Sequence, residues 1–208
     1  ADDGRCLLPS RCKTARQRQE LEGGPCVVTE SELDGLALTS RSRVVVENGR
    51  AVCEMVVKAR AETSGSLVIP LRPANPEGIS FINKVRLSEH RDAWTIDGKQ
   101  AVFFSRPAER HHVSNYREGD VRIHLQDKED QCEGQCDVGM VTAAALFRVE
   151  AGEESELRLR VPLQDESAQL GMGVLPVHEE LARLLPGGGL PRGTVAEVAG
   201  AGSLGRAL

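Results

Sequence analysis

Residues 43–61 form the most regular stretch of the chain and read Arg43-Val44-Val45-Val46-Glu47-Asn48-Gly49-Arg50-Ala51-Val52-Cys53-Glu54-Met55-Val56-Val57-Lys58-Ala59-Arg60-Ala61. Two runs rich in valine flank Asn48-Gly49, and both of these residues tolerate the positive φ angles that a two-residue hairpin turn requires. In the second run Val52, Glu54, Val56 and Lys58 alternate between apolar and polar side chains, which is typical of a half-buried strand. The stretch therefore predicts a β-hairpin.

Further β-prone runs follow on both sides of short turns. Trp94 and Phe104 belong to two runs that flank Asp97-Gly98, which predicts a second hairpin. Recurrent short strands without a convincing long helix are typical of an antiparallel sandwich. The fold class that we predict is all-β, an antiparallel β-sandwich with a short irregular or helical C-terminal extension. The predicted further strands are residues 66–71, 80–87, 94–96, 101–104, 121–125, 141–149 and 156–161.

The predicted domain organisation has three parts. Residues 1–25 show little periodicity and are predicted as an irregular or partly helical lead-in. Residues 26–165 form the β-sandwich domain. Residues 166–208 are predicted as a polar linker followed by a truncated second unit, with a short helix at 177–185 and a short strand at 194–199.

Composition and charge limit the classes of partner. The chain has 208 residues, enough for one good-sized core, and a formal net charge of −5. This charge argues against broad binding to nucleic acid or to an anionic membrane. A short basic stretch at 11–18 is interpreted as a solvated face. No apolar run approaches the roughly 20 residues of a membrane helix, and no signal-peptide pattern is present. We therefore expect a cytoplasmic protein without membrane contact, although the chain opens without Met, as a processed or excerpted product would.

Six cysteines raise the question of a metal or disulfide site. Cys132 and Cys136 have a C-x3-C spacing in an acidic loop, which suits a metal or a small disulfide loop. Zinc sites normally require a second ligand pair, and Cys6, Cys12 and Cys26 are far away in sequence. Metal binding at Cys132 and Cys136 is therefore the less favoured interpretation, and no cofactor is predicted.

Residues 26–165 resemble a known family. The segments 69–81, Arg110-His111-His112-Val113-Ser114-Asn115-Tyr116 and 137–145 are similar to parts of the β-sandwich domain that precedes the helical catalytic barrel in bacterial glycogen-debranching-like glycosidases. The resemblance implies a domain that packs against a catalytic barrel. It also implies that the catalytic carboxylates belong to that barrel, which this chain does not contain.

Residues 174–208 resemble the start of RecA-type ATPase domains, in which a Leu-Pro-x-Gly turn leads into a strand and a P-loop. Gly200 and Gly205 occupy the glycine positions of a P-loop, but Arg206 replaces the lysine and Ala207 the magnesium-binding hydroxyl. Alanine cannot ligate a cation. The resemblance implies a degenerate P-loop in which nucleotide binding at Gly200, Gly205 and Arg206 is improbable, and a frayed glycine-rich tail is the simpler interpretation.

Candidate ligand-binding residues are few because only six aromatic residues occur. Most of them fall in predicted strands and are assigned to the core. Trp94 and Tyr116 are the candidate stacking surfaces for carbohydrate, with Asn75 as a polar neighbour in the segment 75–78. The scarcity of aromatic residues favours domain packing over direct sugar binding.

The nearest approach to a reactive cluster is His111, His112, Tyr116, Asp120 and His124. Adjacent histidines on a strand point to opposite faces, so a polar loop is favoured over a site. No carboxylate pair is singled out for glycoside hydrolysis and no Gly-x-Ser-x-Gly nucleophile turn occurs. We therefore predict a non-catalytic module that packs or orients the catalytic domain of a carbohydrate-active enzyme. The alternative is a fragment of a RecA-like ATPase or DNA-repair accessory protein without competent nucleotide binding.

Overall fold

In a computed structural model of the chain, residues 1–75 and 78–163 are described, together with the backbone of 174–176 and 189–191. The chain divides into two compact units, Ala1–Leu163 and Gln164–Leu208. The first unit contains fourteen of the sixteen strands described, and all pairing between strands is antiparallel. The predicted all-β class is therefore confirmed.

The first unit is built mainly from two sheets. A nine-stranded sheet has the order β1-β2-β3-β4-β14-β10-β9-β8-β12, and a three-stranded sheet has the order β11-β13-β5; β6 and β7 pair separately. The strands are β1 Arg16–Glu20, β2 Cys26–Leu33, β3 Leu36–Glu47, β4 Arg50–Ala61, β5 Gly65–Leu71, β6 Ala74–Asn75, β7 Gly78–Ile79, β8 Lys84–Leu87, β9 Ala93–Ile96, β10 Lys99–Phe104, β11 Arg110–Ser114, β12 Glu133–Gln135, β13 Thr142–Val149 and β14 Glu154–Pro162.

Both predicted hairpins are confirmed. β3 and β4 pair over their full length, with Glu47 opposite Arg50 across the two-residue turn. Asn48 and Gly49 have φ angles of 50° and 76°, the two positive values of a type I′ turn. The second hairpin joins β9 to β10. A type I′ turn follows the right-handed twist of the strands that it joins. The local sequence Asn48-Gly49 is therefore sufficient to set the pairing of β3 with β4.

The Gly49→Ala substitution is expected to lower the free energy of unfolding by about 1 kcal/mol, because a β-carbon disfavours positive φ. Apart from the two adjacent residues of the chain, no atom lies within 4 Å of the position of that β-carbon, so the expected cost is backbone strain. Urea unfolding of the variant measures the loss. The Asn48→Gly variant serves as the control because it keeps the permitted turn conformation, and equal stability of Gly49→Ala and wild type would contradict this account.

The core lies between the two large sheets. Trp94 of β9 meets Phe104 of β10 edge to face at 4.9 Å between ring centroids, and Phe104 meets Phe147 of β13 at 5.3 Å. Phe147 belongs to the three-stranded sheet and is fully buried. These aromatic contacts join the sheets, and strand β13 is buried along nearly its whole length, as predicted for a central strand.

Two predicted segments differ from the structure. The predicted lead-in contains a 3-10 helix, Pro9–Arg11, and the strand β1, which pairs with β2 at the edge of the large sheet. The predicted strand at 121–125 is wrong, because Val121–His124 forms a 3-10 helix. The Asp120 side chain caps this helix by accepting a hydrogen bond from the Arg122 backbone N–H. Local capping therefore overrides the alternating pattern.

In the second unit, β15 Val174–Pro176 pairs with β16 Gly189–Pro191. The predicted helix at 177–185 and the predicted strand at 194–199 lie outside the described residues. Within the part of the chain that is described, no helix is both long enough and apolar enough to cross a membrane.

Candidate functional site

Trp94, one of the predicted sugar-stacking residues, is only 1% exposed. Its indole N–H donates a hydrogen bond of 2.7 Å to Nε2 of His111, which is fully buried on β11. Because the indole can only donate, His111 carries its proton on Nδ1, which donates to the backbone carbonyl of Gln131. Burial lowers the pKa of His111 to about 4. The expectation of an exposed Trp94 is therefore corrected: its ring belongs to the core and tethers β9 to β11.

The other polar residues around His111 also stabilise the fold. His112 points to the opposite side of β11, as expected, and its Nε2 lies 3.2 Å from Arg110. Asp120 forms two hydrogen bonds with Arg72, of 2.7 and 2.9 Å, and Arg72 lowers the pKa of this carboxyl group. His124 contacts Asp127, which raises its pKa. Asp120 therefore pairs with Arg72, whereas Arg110 contacts both His112 and the carbonyl of Asp127, the residue that pairs with His124.

Cys132 and Cys136 lie at the two ends of β12, in different environments. Cys132 is exposed and accepts a hydrogen bond from Arg91. Cys136 is buried, and a hydrogen bond from the Tyr116 backbone lowers the pKa of its thiol. Across the described residues, no three His, Cys, Asp or Glu side chains gather as a metal site would require. Gly200, Gly205 and Arg206, the predicted phosphate-loop residues, lie outside the described part of the chain.

The outer face of the large sheet carries paired charges. Glu54 on β4 is buried, and its carboxylate oxygens lie 2.7 Å from a guanidinium nitrogen of Arg43 and 3.8 Å from one of Arg158. Arg160 contacts Glu47 on the same face. Long arginine side chains cover apolar positions with their methylene groups while their charged ends stay in water. Opposite charges therefore pair within this face.

An apolar area remains exposed on the core side of the same sheet, where the β3–β4 hairpin extends beyond the three-stranded sheet. We call this area the tip face, and it consists of Leu21, Val27, Val44, Val46 and Cys53. Val44 is 59% exposed and Val46 is 74% exposed. Val44 lies opposite Cys53, and Cys53 lies opposite Val161 at the end of β14. A shallow concavity of about 300 Å³ opens here.

A second exposed apolar area surrounds the turn Cys136–Gly139. Phe81 is 67% exposed and Tyr116 is 70% exposed. The Cδ1 atom of Phe81 lies 2.7 Å from the position that a β-carbon would occupy at residue 139, so the ring packs directly over Gly139. The Tyr116 backbone hydrogen-bonds the Cys136 thiol at the other end of the turn. We call Phe81, Tyr116 and this turn the turn platform.

Backbone hydrogen bonds anchor the turn Cys136–Gly139. Cys136 donates its backbone N–H to the Asn83 carbonyl at 2.8 Å, and Ile82 donates to the Gly139 carbonyl at 2.8 Å. Val141 donates in turn to the Ile82 carbonyl at 3.1 Å. Ile82 is buried in the core, so the residue next to Phe81 is anchored from below. These bonds tie the turn and the backbone next to Phe81 to the sandwich.

The structure brings the predicted residue Tyr116 to a surface that sequence reasoning did not fully identify. Phe81 was assigned to the core because it lies in the predicted strand 80–87, but β8 begins only at Lys84. The Pro73–Gly78 segment upstream, rich in turn-forming residues, was the available signal that Phe81 belongs to a loop. Asn75 lies in the short strand β6, and its side chain is outside the described structure.

Comparisons with known proteins show no family. No protein-family model matches the chain, and no curated protein matches it. A similar solved structure is that of a protein named "Putative kojibiose phosphorylase from human microbiome". The TM-score is 0.37 with 9% sequence identity, and the match covers 76% of this chain and 21% of that one. This chain thus spans about a fifth of that structure's length.

Proposed function

We propose that this chain is a non-catalytic β-sandwich module that packs against, and orients, the catalytic domain of a carbohydrate-active enzyme. The observation that carries the proposal is the tip face, an exposed apolar area on the side of a sheet that normally faces a core. Large exposed apolar areas mark interaction sites, because burying them removes apolar surface from water.

Two further features support this role. The segments 69–81, 110–116 and 137–145 resemble the sandwich domain that precedes a helical catalytic barrel in glycogen-debranching-like glycosidases. In addition, Trp94, Arg110 and Asp127 hold His111, His112 and His124 in local contacts. A domain that supports a catalytic domain needs a stable fold and an exposed apolar face that can bind it. The first unit has both.

The location of the tip face suits a partner domain. Leu163, the last residue of the first unit, donates its backbone N–H to Ala51 at 2.9 Å, immediately beside Val46 on this face. Val44 and Val46 project from the same side of β3 and have no covering strand among the described residues. A complementary apolar surface from a catalytic domain would complete the second layer of the sandwich there.

The test uses the carbohydrate-active catalytic domain encoded in the same reading frame as this chain, or beside it. The purified domain is titrated with the full chain, and complex formation is measured by sedimentation velocity. The double substitution Val44→Glu and Val46→Glu is expected to weaken the complex at least 100-fold, because two carboxylates would be buried without partners.

The matched control is Ile123→Glu, which changes an equally exposed apolar residue on the 3-10 helix away from the tip face. This variant is expected to bind as wild type does. Three outcomes would contradict the proposed function. The tip-face and control substitutions could weaken the complex equally, the wild-type chain could form no complex, or the same and adjacent reading frames could encode no carbohydrate-active domain.

A further inference from the structure

We propose that the free edge of strand β1 binds the same edge of a second copy of this chain, so that two nine-stranded sheets join antiparallel into one continuous sheet. The contact surface consists of β1 together with Leu21 and Glu22, and we call it the β1 edge. The inference concerns a partner of a different kind from the proposed catalytic domain and does not depend on that association.

The position of β1 in the large sheet is the first observation. β1 is an end strand, and among the described strands only β2 pairs with it. Four of its five residues are exposed and the fifth is half-buried. An exposed end strand presents backbone N–H and C=O groups to which another strand can bind. The other end strands are less suitable, because β12 has three residues, β11 is almost wholly buried, and Pro70 in β5 has no N–H to donate.

The order of charges along the β1 edge is the second observation. Successive residues of a strand point to opposite faces, so Arg16, Arg18 and Glu20 share one face of the sheet. On this face Arg18 lies 2.8 Å from Glu30 of β2. Glu22 follows in the turn after the strand. The β1 edge is therefore basic at its start and acidic at its end.

This order of charges is complementary to itself when two copies of the strand run antiparallel. A two-fold axis through Gln19 places Arg18 opposite Glu20 of the second copy and Arg16 opposite Glu22 of the second copy, and symmetry repeats each pair. Opposite charges that face each other across two strands stabilise their pairing. Registers centred on Arg18 or on Glu20 would instead place two like charges directly opposite each other. Register and charge thus select the pairing centred on Gln19.

The charged side chains at the two ends of the β1 edge are available for this pairing. Arg16 and Glu22 are exposed, and neither forms an ion pair with another residue of the described part of the chain. Arg18 and Glu20 already contact each other at 3.1 Å, so a second copy would extend an existing group of charges. Edge charges prevent association when the approaching strand carries the same sign, but here it carries the opposite sign. Charge complementarity therefore favours a second copy as the partner.

The experiment is sedimentation equilibrium of the full chain at concentrations up to about 1 mM, since small interfaces associate weakly. We expect a reversible equilibrium between monomer and dimer. Arg16→Glu and Glu22→Arg are each expected to weaken dimerisation about ten-fold, because each turns two attractive pairs into repulsive ones. An equimolar mixture of the two variants is expected to recover the wild-type affinity, because their heterodimer restores both attractive pairs. Lys128→Glu reverses an exposed charge elsewhere and is expected to dimerise as wild type does.

A cross-link tests the register. Gln19→Cys is expected to give a disulfide-linked dimer under mild oxidation, because the Cα atoms of directly opposed residues lie about 5 Å apart. Gln17→Cys is the matched control, since its two copies would be separated by four residues along the strands, roughly 14 Å, which is too far for a disulfide. The wild-type chain measures the background from the exposed thiols of Cys6 and Cys132.

Several outcomes would overturn the inference. The wild-type chain could remain monomeric at the highest concentration, the mixed variants could associate no more strongly than either variant alone, or Gln17→Cys could cross-link as well as Gln19→Cys. The double substitution Val44→Glu and Val46→Glu is expected to leave the dimer intact while it weakens the complex with the catalytic domain, so the two proposals fail independently. Loss of the dimer in this double variant would assign self-association to the tip face and would also overturn the inference.

Discussion

The Trp94→Ala substitution is expected to lower the free energy of unfolding by about 4 kcal/mol, since large-to-small changes at buried aromatic positions cost 3–5 kcal/mol. The indole is fully enclosed between β9, β10 and β11, where it packs edge to face against Phe104. Its loss also leaves Nε2 of His111 buried without a donor. Denaturant unfolding followed by circular dichroism measures this change.

Two comparison variants separate packing from hydrogen bonding. Trp94→Phe retains most of the ring volume but removes the N–H donor, and we expect a smaller loss of about 2 kcal/mol. Tyr116→Ala removes an exposed ring and is expected to change stability by less than about 0.5 kcal/mol. A Trp94→Ala variant as stable as Tyr116→Ala would refute the assignment of Trp94 to the core.

The second large effect concerns acid pH. Burial lowers the pKa of His111 to about 4 in the folded chain, against 6.5 for an ordinary histidine. Between these two values the unfolded chain binds a proton that the folded chain does not, so the stability present above pH 6.5 is lost as the pH falls towards 4. The difference between the two pKa values corresponds to a loss of about 3 kcal/mol in the free energy of unfolding. Urea unfolding at pH 7 and pH 4.5 is expected to reveal most of this loss.

The control for this pH dependence is His111→Gln, which cannot take up a proton but offers an oxygen to the Trp94 N–H. This variant is expected to be less stable than wild type at pH 7 and to lose much less stability on acidification. The difference between the two proteins isolates His111 from His112, whose pKa burial also lowers, and from His124, whose pKa Asp127 raises. Parallel pH profiles of wild type and variant would show that His111 is not the group responsible.

Structural features that depend on residues close together in sequence could be predicted. Asn48-Gly49 and Asp97-Gly98 predicted both hairpins because positive φ is a local property, and their φ values are positive in the structure. The apolar run that became β13 was also identified from sequence. At 121–125 the same reasoning failed, because the Asp120 cap stabilises a 3-10 helix and Thr142 Oγ1 accepts a hydrogen bond from the Val121 N–H. That last contact joins residues 21 positions apart and leaves no local pattern.

Exposure was the property that local sequence could not decide. Trp94 and Tyr116 were equivalent candidates for a ligand surface, yet one is buried and the other exposed. Phe81 was assigned to the core and is exposed, because its ring stacks on Gly139, 58 positions later in the chain. Whether an aromatic side chain faces solvent depends on which strand packs against it. This partner is chosen only when distant segments pack.

The sequence by itself determined the all-β class, the turns and the alternation of side chains, since each depends on backbone preferences within a few residues. The tertiary structure decided that nine strands form one sheet while three form the other, and therefore where the larger sheet extends uncovered as the tip face. It also decided that Phe81 and Tyr116, which are 35 positions apart in sequence, are both exposed residues that contact the turn Cys136–Gly139. Long-range contacts set both features, because covering one sheet face with another depends on the relative size and register of whole sheets.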